Sequence, residues 1–155
     1  MSRGRLSYTT PWDTIIYRPT TRLILSGQTG ETSSLQVLAE ASGYHVLRSA
    51  PNADPSEVGK MIDRFTAVVL LHHDLDAEAG ILEEALRSRP FYVGALGSTR
   101  THHTRVKRLM DCGFTRQDVD RIRAPIGMFG PTRDFTSLSI SVLADVTASR
   151  LVIFG

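Results

Sequence analysis

Ala67–Val68–Val69–Leu70–Leu71–His72–His73–Asp74 places five consecutive apolar residues directly before three polar ones. A run this short and this apolar fits a strand covered on both faces, the situation of an inner strand in a parallel sheet. Working outward, similar short runs stand at 23–25, 45–47 and 91–93, bounded by Gly, Pro, Ser or Asp. Between them the apolar residues recur at helical spacing: Leu35, Leu38 and Ala39 before Gly43; Val58, Met61, Ile62 and Phe65 after Ser56; and Ile81, Leu82, Ala85 and Leu86. Val106, Leu109 and Met110 form a further stripe that stops at Gly113, a residue suited to end a helix. Strand and helix in alternation predict an α/β fold, a three-layer Rossmann-like domain with a mostly parallel sheet. Thr115 with Asp118 reads as a capping box that opens a short helix to Ile122. A last helix is expected over 136–150, on Leu138, Val142, Leu143 and Val146, and the run 151–154 reads as a final strand. Residues 1–21 show no sustained period and read as an N-terminal arm with at most a short strand, leaving 22–155 as the domain.

A chain of 155 residues makes one domain, and a domain of that size buries about 68–70% of its unfolded surface. With 41% apolar and 22% charged residues, the composition is that of a soluble globular protein rather than a disordered, collagenous or membrane chain. The net charge of +2 gives no electrostatic footprint for nucleic acid, and none is expected as a partner. Cys112 has no second cysteine to pair with, and residues 1–8 contain no apolar run that could form a signal-peptide core, so the expected compartment is the reducing cytoplasm. The run 67–71 is far shorter than the roughly 18–20 residues of a spanning helix, and no membrane segment is expected. Cys112, between Met110 and Gly113, reads as a buried structural thiol.

Open parallel sheets bind ligands beyond the carboxyl ends of their strands, so the loops that follow each strand are the candidate sites. After the first comes Ser26–Gly27–Gln28–Thr29–Gly30–Glu31–Thr32, a turn into a helix whose Gly27 and Gly30 suit either an anion or a plain tight connection. It is half a dinucleotide fingerprint: Thr29 stands where the second Gly would be, and Ser33 at the last position. The second strand ends Arg48–Ser49–Ala50–Pro51, without the carboxylate that would bind a ribose, and NAD(P) is therefore disfavoured. The third ends His72–His73–Asp74. Its neighbouring histidines point to opposite faces, so one of them, with Asp74, is a ligand-facing candidate and a hydrogen-bonded strand end is the alternative. A metal would need three or four converging ligands, and only the distant His102 and His103 could complete the set, so no metal site is expected. The fourth strand runs into Gly94–Ala95–Leu96–Gly97–Ser98–Thr99–Arg100–Thr101, where Gly94 and Gly97 allow close approach, Ser98 and Thr101 supply hydroxyls and a cap, and Arg100 can grip a phosphate. That loop is the leading anion-site candidate. The following His102, His103, Arg105, Lys107 and Arg108 read as a solvated helix face. No motif for hydrolysis occurs, and no catalytic residue is assigned.

The strings from Ala67 to Asp74, from Phe91 to His102, from Ile122 to Gly127 and from Ser141 to Asp145 resemble the C-terminal Rossmann domain of the XdhC/CoxI family, the xanthine dehydrogenase accessory proteins. The likeness runs from about Arg22 to Arg150 and is most specific at Tyr92–Thr101. It implies a cytoplasmic, homodimeric chaperone rather than a catalyst, which binds the molybdenum cofactor (molybdopterin, a phosphate-bearing pterin) and delivers it to a molybdenum hydroxylase of xanthine dehydrogenase type. On that resemblance the N–H groups of Gly97 and Ser98, with Arg100, hold the phosphate, while His73 and Asp74 bond the pterin edge. The chain departs from the family at Gly27–Gln28–Thr29–Gly30, at Ala50–Pro51 and at Gly127–Met128–Phe129–Gly130–Pro131, and it has a short arm where relatives carry an N-terminal domain. Two rivals remain at this level: an NAD(P)-binding oxidoreductase-like domain, and a ligand-free protein-interaction module.

Overall fold

The computed structural model describes the backbone of residues 4–7 and 16–19 and all of 20–27 and 29–155. Within them the order is β1 (Gly4–Ser7), β2 (Ile16–Pro19), β3 (Arg22–Gly27), α1 (Thr29–Ala41), β4 (His45–Arg48), α2 (Pro55–Gly59), β5 (Thr66–Leu71), α3 (Leu75–Ser88), β6 (Tyr92–Ala95), α4 (Thr99–Asp111), α5 (Arg116–Val119), β7 (Ile122–Arg123) and α6 (Phe135–Phe154). Strands β3 to β7 form one five-stranded sheet in the order β4-β3-β5-β6-β7, every neighbouring pair parallel. Strands β1 and β2 pair with each other, antiparallel, so the segment read as an arm with at most one short strand contains two. Residues 1–3 and 8–15 of that arm lie outside those described.

All six residues of β5 are buried, as its unbroken apolar run predicts. Because side chains alternate across a strand, they divide between the two faces. Val68 and Leu70 join a cluster with Ile81, Leu82 and Leu109 on one side. Ala67, Val69 and Leu71 join Leu35, Val142 and Val146 on the other. The result is three layers, with α1 and α6 on one face and α2 to α5 on the other.

Helix ends follow local chemistry. Asp74 caps α3 by accepting from the Asp76 N–H, Ser98 caps α4 by accepting from the Thr101 N–H, and Thr115 and Asp118 close the predicted capping box of α5. Helix α2 stops at Gly59, so Met61, Ile62 and Phe65 of its predicted stripe lie beyond it. The helix expected to reach Ile122 ends at Val119, and Ile122 begins β7, whose two residues pair with Val93 and Gly94.

Two expectations are corrected. The run 151–154 is the last turn of α6 rather than a strand, and Phe154 packs its ring 5.1 Å from Phe65 and 5.6 Å from Phe91. Cys112 is exposed, not buried: it is the residue after the last turn of α4, and its backbone rather than its thiol does the structural work. Helix α6 is long and apolar enough, by length and composition, to cross a membrane, whereas the sequence reading looked only at uninterrupted apolar runs. Its Val142, Leu143 and Val146 are buried against the sheet and α1.

Candidate functional site

The chain crosses from one side of the sheet to the other between β3 and β5, the position where open α/β sheets usually leave a crevice. Here the protein's own polar groups occupy it. Ser26 Oγ and His72 Nε2 share a 2.7 Å hydrogen bond between the two strand ends. His73 Nε2 donates to Glu31 Oε1 at 2.8 Å, tying the loop after β5 to the first turn of α1. Burial outweighs the nearby Asp74 carboxylate and lowers the basicity of His72, so it stays neutral near pH 7.

The turn after β3 is packed rather than open. Gly27 has a φ of +147°, and a Cβ there would stand 2.3 Å from the Leu71 carbonyl oxygen, so glycine serves the close approach of β3 and β5. Gly30 lies inside α1 against the ring of Phe135. Arg48 reaches back from β4 to Thr32 Oγ1 at 2.7 Å. Gln28 of this turn lies outside the described residues.

One strand further on, a cleft of about 830 Å³ opens between the β6–α4 turn and the segment 125–132. Gly97, Ser98 and Thr99 form one wall, Ile126, Met128 and Phe129 another, and His73 stands at its edge. Its size falls within the roughly 300–1,000 Å³ of small-molecule sites. Met128 and Phe129 are both half exposed at the rim.

The electrostatics of the helix ends distinguish this place. Backbone N–H groups give every helix N-terminus a partial positive charge. Glu31 already compensates the first turn of α1, Asp74 caps α3 and Asp134 caps α6. Helix α4 has the neutral cap Ser98 and no acidic residue in its first turn, so its positive end faces the cleft without an acid of its own helix to compensate it.

The predicted residues therefore separate. Gly97, Ser98 and His73 line the cleft. Thr101 stands just behind, its N–H and hydroxyl engaged with Ser98 Oγ at 3.2 and 3.1 Å. Arg100 is exposed on the first turn of α4 and does not line the cleft; Asp74 is taken up with its cap. Gly94 is buried inside β6, beneath Ile126 and the Tyr92 ring.

Sequence reasoning missed two supports. The far wall of the cleft is pinned to α6: Ser141 Oγ donates to the Phe129 carbonyl at 2.6 Å and accepts from the Phe129 N–H at 3.0 Å. Asp145, buried on the same helix, accepts from Tyr92 at 2.6 Å and from Arg123 at 2.6 Å. Burial alone would raise the Asp145 carboxyl, but bonds from Arg123 and Tyr92 outweigh it and hold the group below the ordinary carboxylate range. The signal was a lone carboxylate between Val142 and Val146 on an apolar helix face. The second support is Arg105, read as part of a solvated face but buried against Glu78. Burial pushes the Glu78 carboxyl up, with Arg105 pulling it back.

Sheet order and layering define an α/β Rossmann-like domain, with a cleft at the carboxyl ends of its strands. Comparison with known sequences makes this specific: the family profile described as the XdhC Rossmann domain matches residues 23–146, and the chain belongs to that family. Among curated proteins it is 42% identical over 137 residues to the molybdenum cofactor insertion chaperone PaoD of Escherichia coli (strain K12), covering 87% of this chain and 42% of that protein. Among solved structures it is similar to one titled a xanthine dehydrogenase from Bacillus halodurans, with a TM-score of 0.69 and 22% identity over 88% of this chain and 44% of that one. The chain thus spans less than half the length of both.

Proposed function

We propose that this domain holds the molybdenum cofactor in the cleft between the β6–α4 turn and segment 125–132, as an accessory protein in the maturation of a molybdenum hydroxylase of xanthine dehydrogenase type. The observation that carries the reading is the N-terminus of α4, with a neutral cap and no acid in its first turn, facing a cleft of about 830 Å³. Main-chain N–H groups there suit a phosphate, and the apolar wall of Ile126, Met128 and Phe129 suits the faces of a pterin. His73 at the edge can bond the polar rim of such a ring. In this reading Arg100 closes over the phosphate from the first turn of α4, while Gly27, Gly30 and Gly94 shape the scaffold and Asp74 orients the His73 loop. When bound, the cofactor supplies the redox chemistry of the recipient enzyme; the chain's own residues bind and shield it.

Family membership supports the reading, as does the similarity to the Escherichia coli molybdenum cofactor insertion chaperone. An NAD(P)-binding role is disfavoured by the packed turn after β3, where Glu31 already occupies the place of an anion. A cytoplasmic, homodimeric state completes the proposal. Native mass spectrometry of protein purified from cells that make the cofactor tests ligand and subunit number together: a retained mass of the molybdenum cofactor on a dimer is expected. A ligand-free protein that binds NADP in calorimetry but no pterin would overturn it.

A further inference from the structure

We infer that the buried Arg105–Glu78 ion pair is a positioning device for the cleft, which fixes the direction of the Gly97 backbone N–H; the inference rests on the cofactor-binding reading above. Arg105 and Glu78 are 2% and 1% exposed, on α4 and α3. Both Nε and Nη2 of Arg105 bond the Glu78 carboxylate, and Nη2 also donates to the Leu96 carbonyl oxygen at 2.7 Å. Nη1 lies 3.3 Å from His102 Nδ1, so every nitrogen of the guanidinium is engaged.

A buried ion pair adds little net stability, because the cost of removing two charges from water roughly cancels their attraction. The bond that a pair of apolar side chains could not replace is the one to Leu96. In a planar trans peptide the C=O and the following N–H point in opposite directions. Holding the Leu96 carbonyl toward Arg105 therefore turns the Gly97 N–H away from the α3–α4 side. The preceding N–H of Leu96 is held separately, by the Leu70 carbonyl at 2.9 Å. Such a lock has a purpose at this position, since Gly97 has a φ of +128° and glycine tolerates rotation of the adjoining peptide plane. With Glu78 orienting Arg105, and Arg105 orienting the peptide, one donor of the proposed anion site is set before any ligand arrives.

The test uses the full chain and molybdenum cofactor released anaerobically from purified xanthine dehydrogenase. The double variant Glu78→Leu/Arg105→Met, which replaces the pair with apolar side chains, should fold with near-native thermal stability. Its Gly97 amide should shift in the nitrogen–proton NMR spectrum, and its cofactor affinity should fall roughly tenfold or more with the loss of an aligned charge-binding donor. Arg105→Lys keeps the charge beside Glu78 without the planar fork, and should show the same amide shift and an intermediate loss. An unmoved Gly97 amide and native affinity in either folded variant would overturn the inference alone. Failure of the native protein to bind the cofactor would overturn the functional reading and, with it, this role.

Discussion

The Tyr92 hydroxyl on β6 donates to the Asp145 carboxylate on α6 across 2.6 Å, and Arg123 of the neighbouring strand bonds the other oxygen of the same carboxylate. This joins the two strands that end beneath the cleft to the helix that pins its far wall. Burial, and then the bond to Asp145, push the Tyr92 hydroxyl well above its ordinary range, so it remains a donor throughout.

Removing either partner should therefore cost stability, by different amounts. Tyr92→Phe leaves a carboxylate that still has Arg123, and should cost about 1–2 kcal/mol, the scale of one hydrogen bond. Arg123→Ala leaves a buried carboxylate without its cation and should cost about 2–3 kcal/mol, less than for a fully buried pair because Arg123 is 58% exposed. Urea unfolding of the two variants would show the order.

Acid should act on the same group. The folded Asp145 carboxyl lies below its ordinary value of 3.8, so its contribution is present above that pH and is lost as the pH falls through the lower folded value. Unfolding midpoints followed downward from pH 5 should drop steeply, and in Arg123→Ala, where burial is less opposed and the carboxyl rises toward or above its ordinary value, the part of that drop due to Asp145 should shrink.

Two histidines set a second pH window. Burial lowers both His72 and His102, so the unfolded chain binds protons that the folded one refuses. Their contribution is complete above the ordinary value of 6.5 and is lost as the pH falls from there toward the folded values. Stability should decline between pH 7 and 5, and His72→Gln should flatten part of that slope.

Gly97→Ala should destabilise the fold by about 1–3 kcal/mol through backbone strain. A Cβ there would also stand 2.9 Å from Thr101 Cγ2. Thr101→Ser in the same chain should relieve the contact with Cγ2 and leave the strain, with a 3.1 Å approach to the residue 101 Cβ, so thermal unfolding of the pair shows how much of the cost that methyl group carries.

Arg100→Ala should leave the melting temperature unchanged, since the side chain is exposed. Its expected effect is on binding: about 1.5–3 kcal/mol weaker affinity for a phosphate-bearing pterin by calorimetry, the scale of a charged hydrogen bond. Equal affinity would remove Arg100 from the site.

Much of the fold was legible because it rests on local periodicity. The buried β5, the stripe of α3 and the capping box at Thr115 all follow from residues within a few positions of one another. The end of α6 was misread for the same reason: Leu151–Val152–Ile153–Phe154 has strand-like composition, and the contacts of Phe154 with Phe65 and Phe91 lie far away in the sequence. Strand β7 is too short to have a period of its own and exists through its register with Val93 and Gly94.

For the candidate site, the sequence by itself determined the loop from Leu96 to Thr101 and its helix cap, because a strand that runs into small residues and a hydroxyl must turn there. Only the tertiary structure decided which charges meet. Arg105 finds Glu78 from 27 residues away and Tyr92 finds Asp145 from 53, pairings that no local spacing encodes and that sheet order and helix packing alone bring within reach.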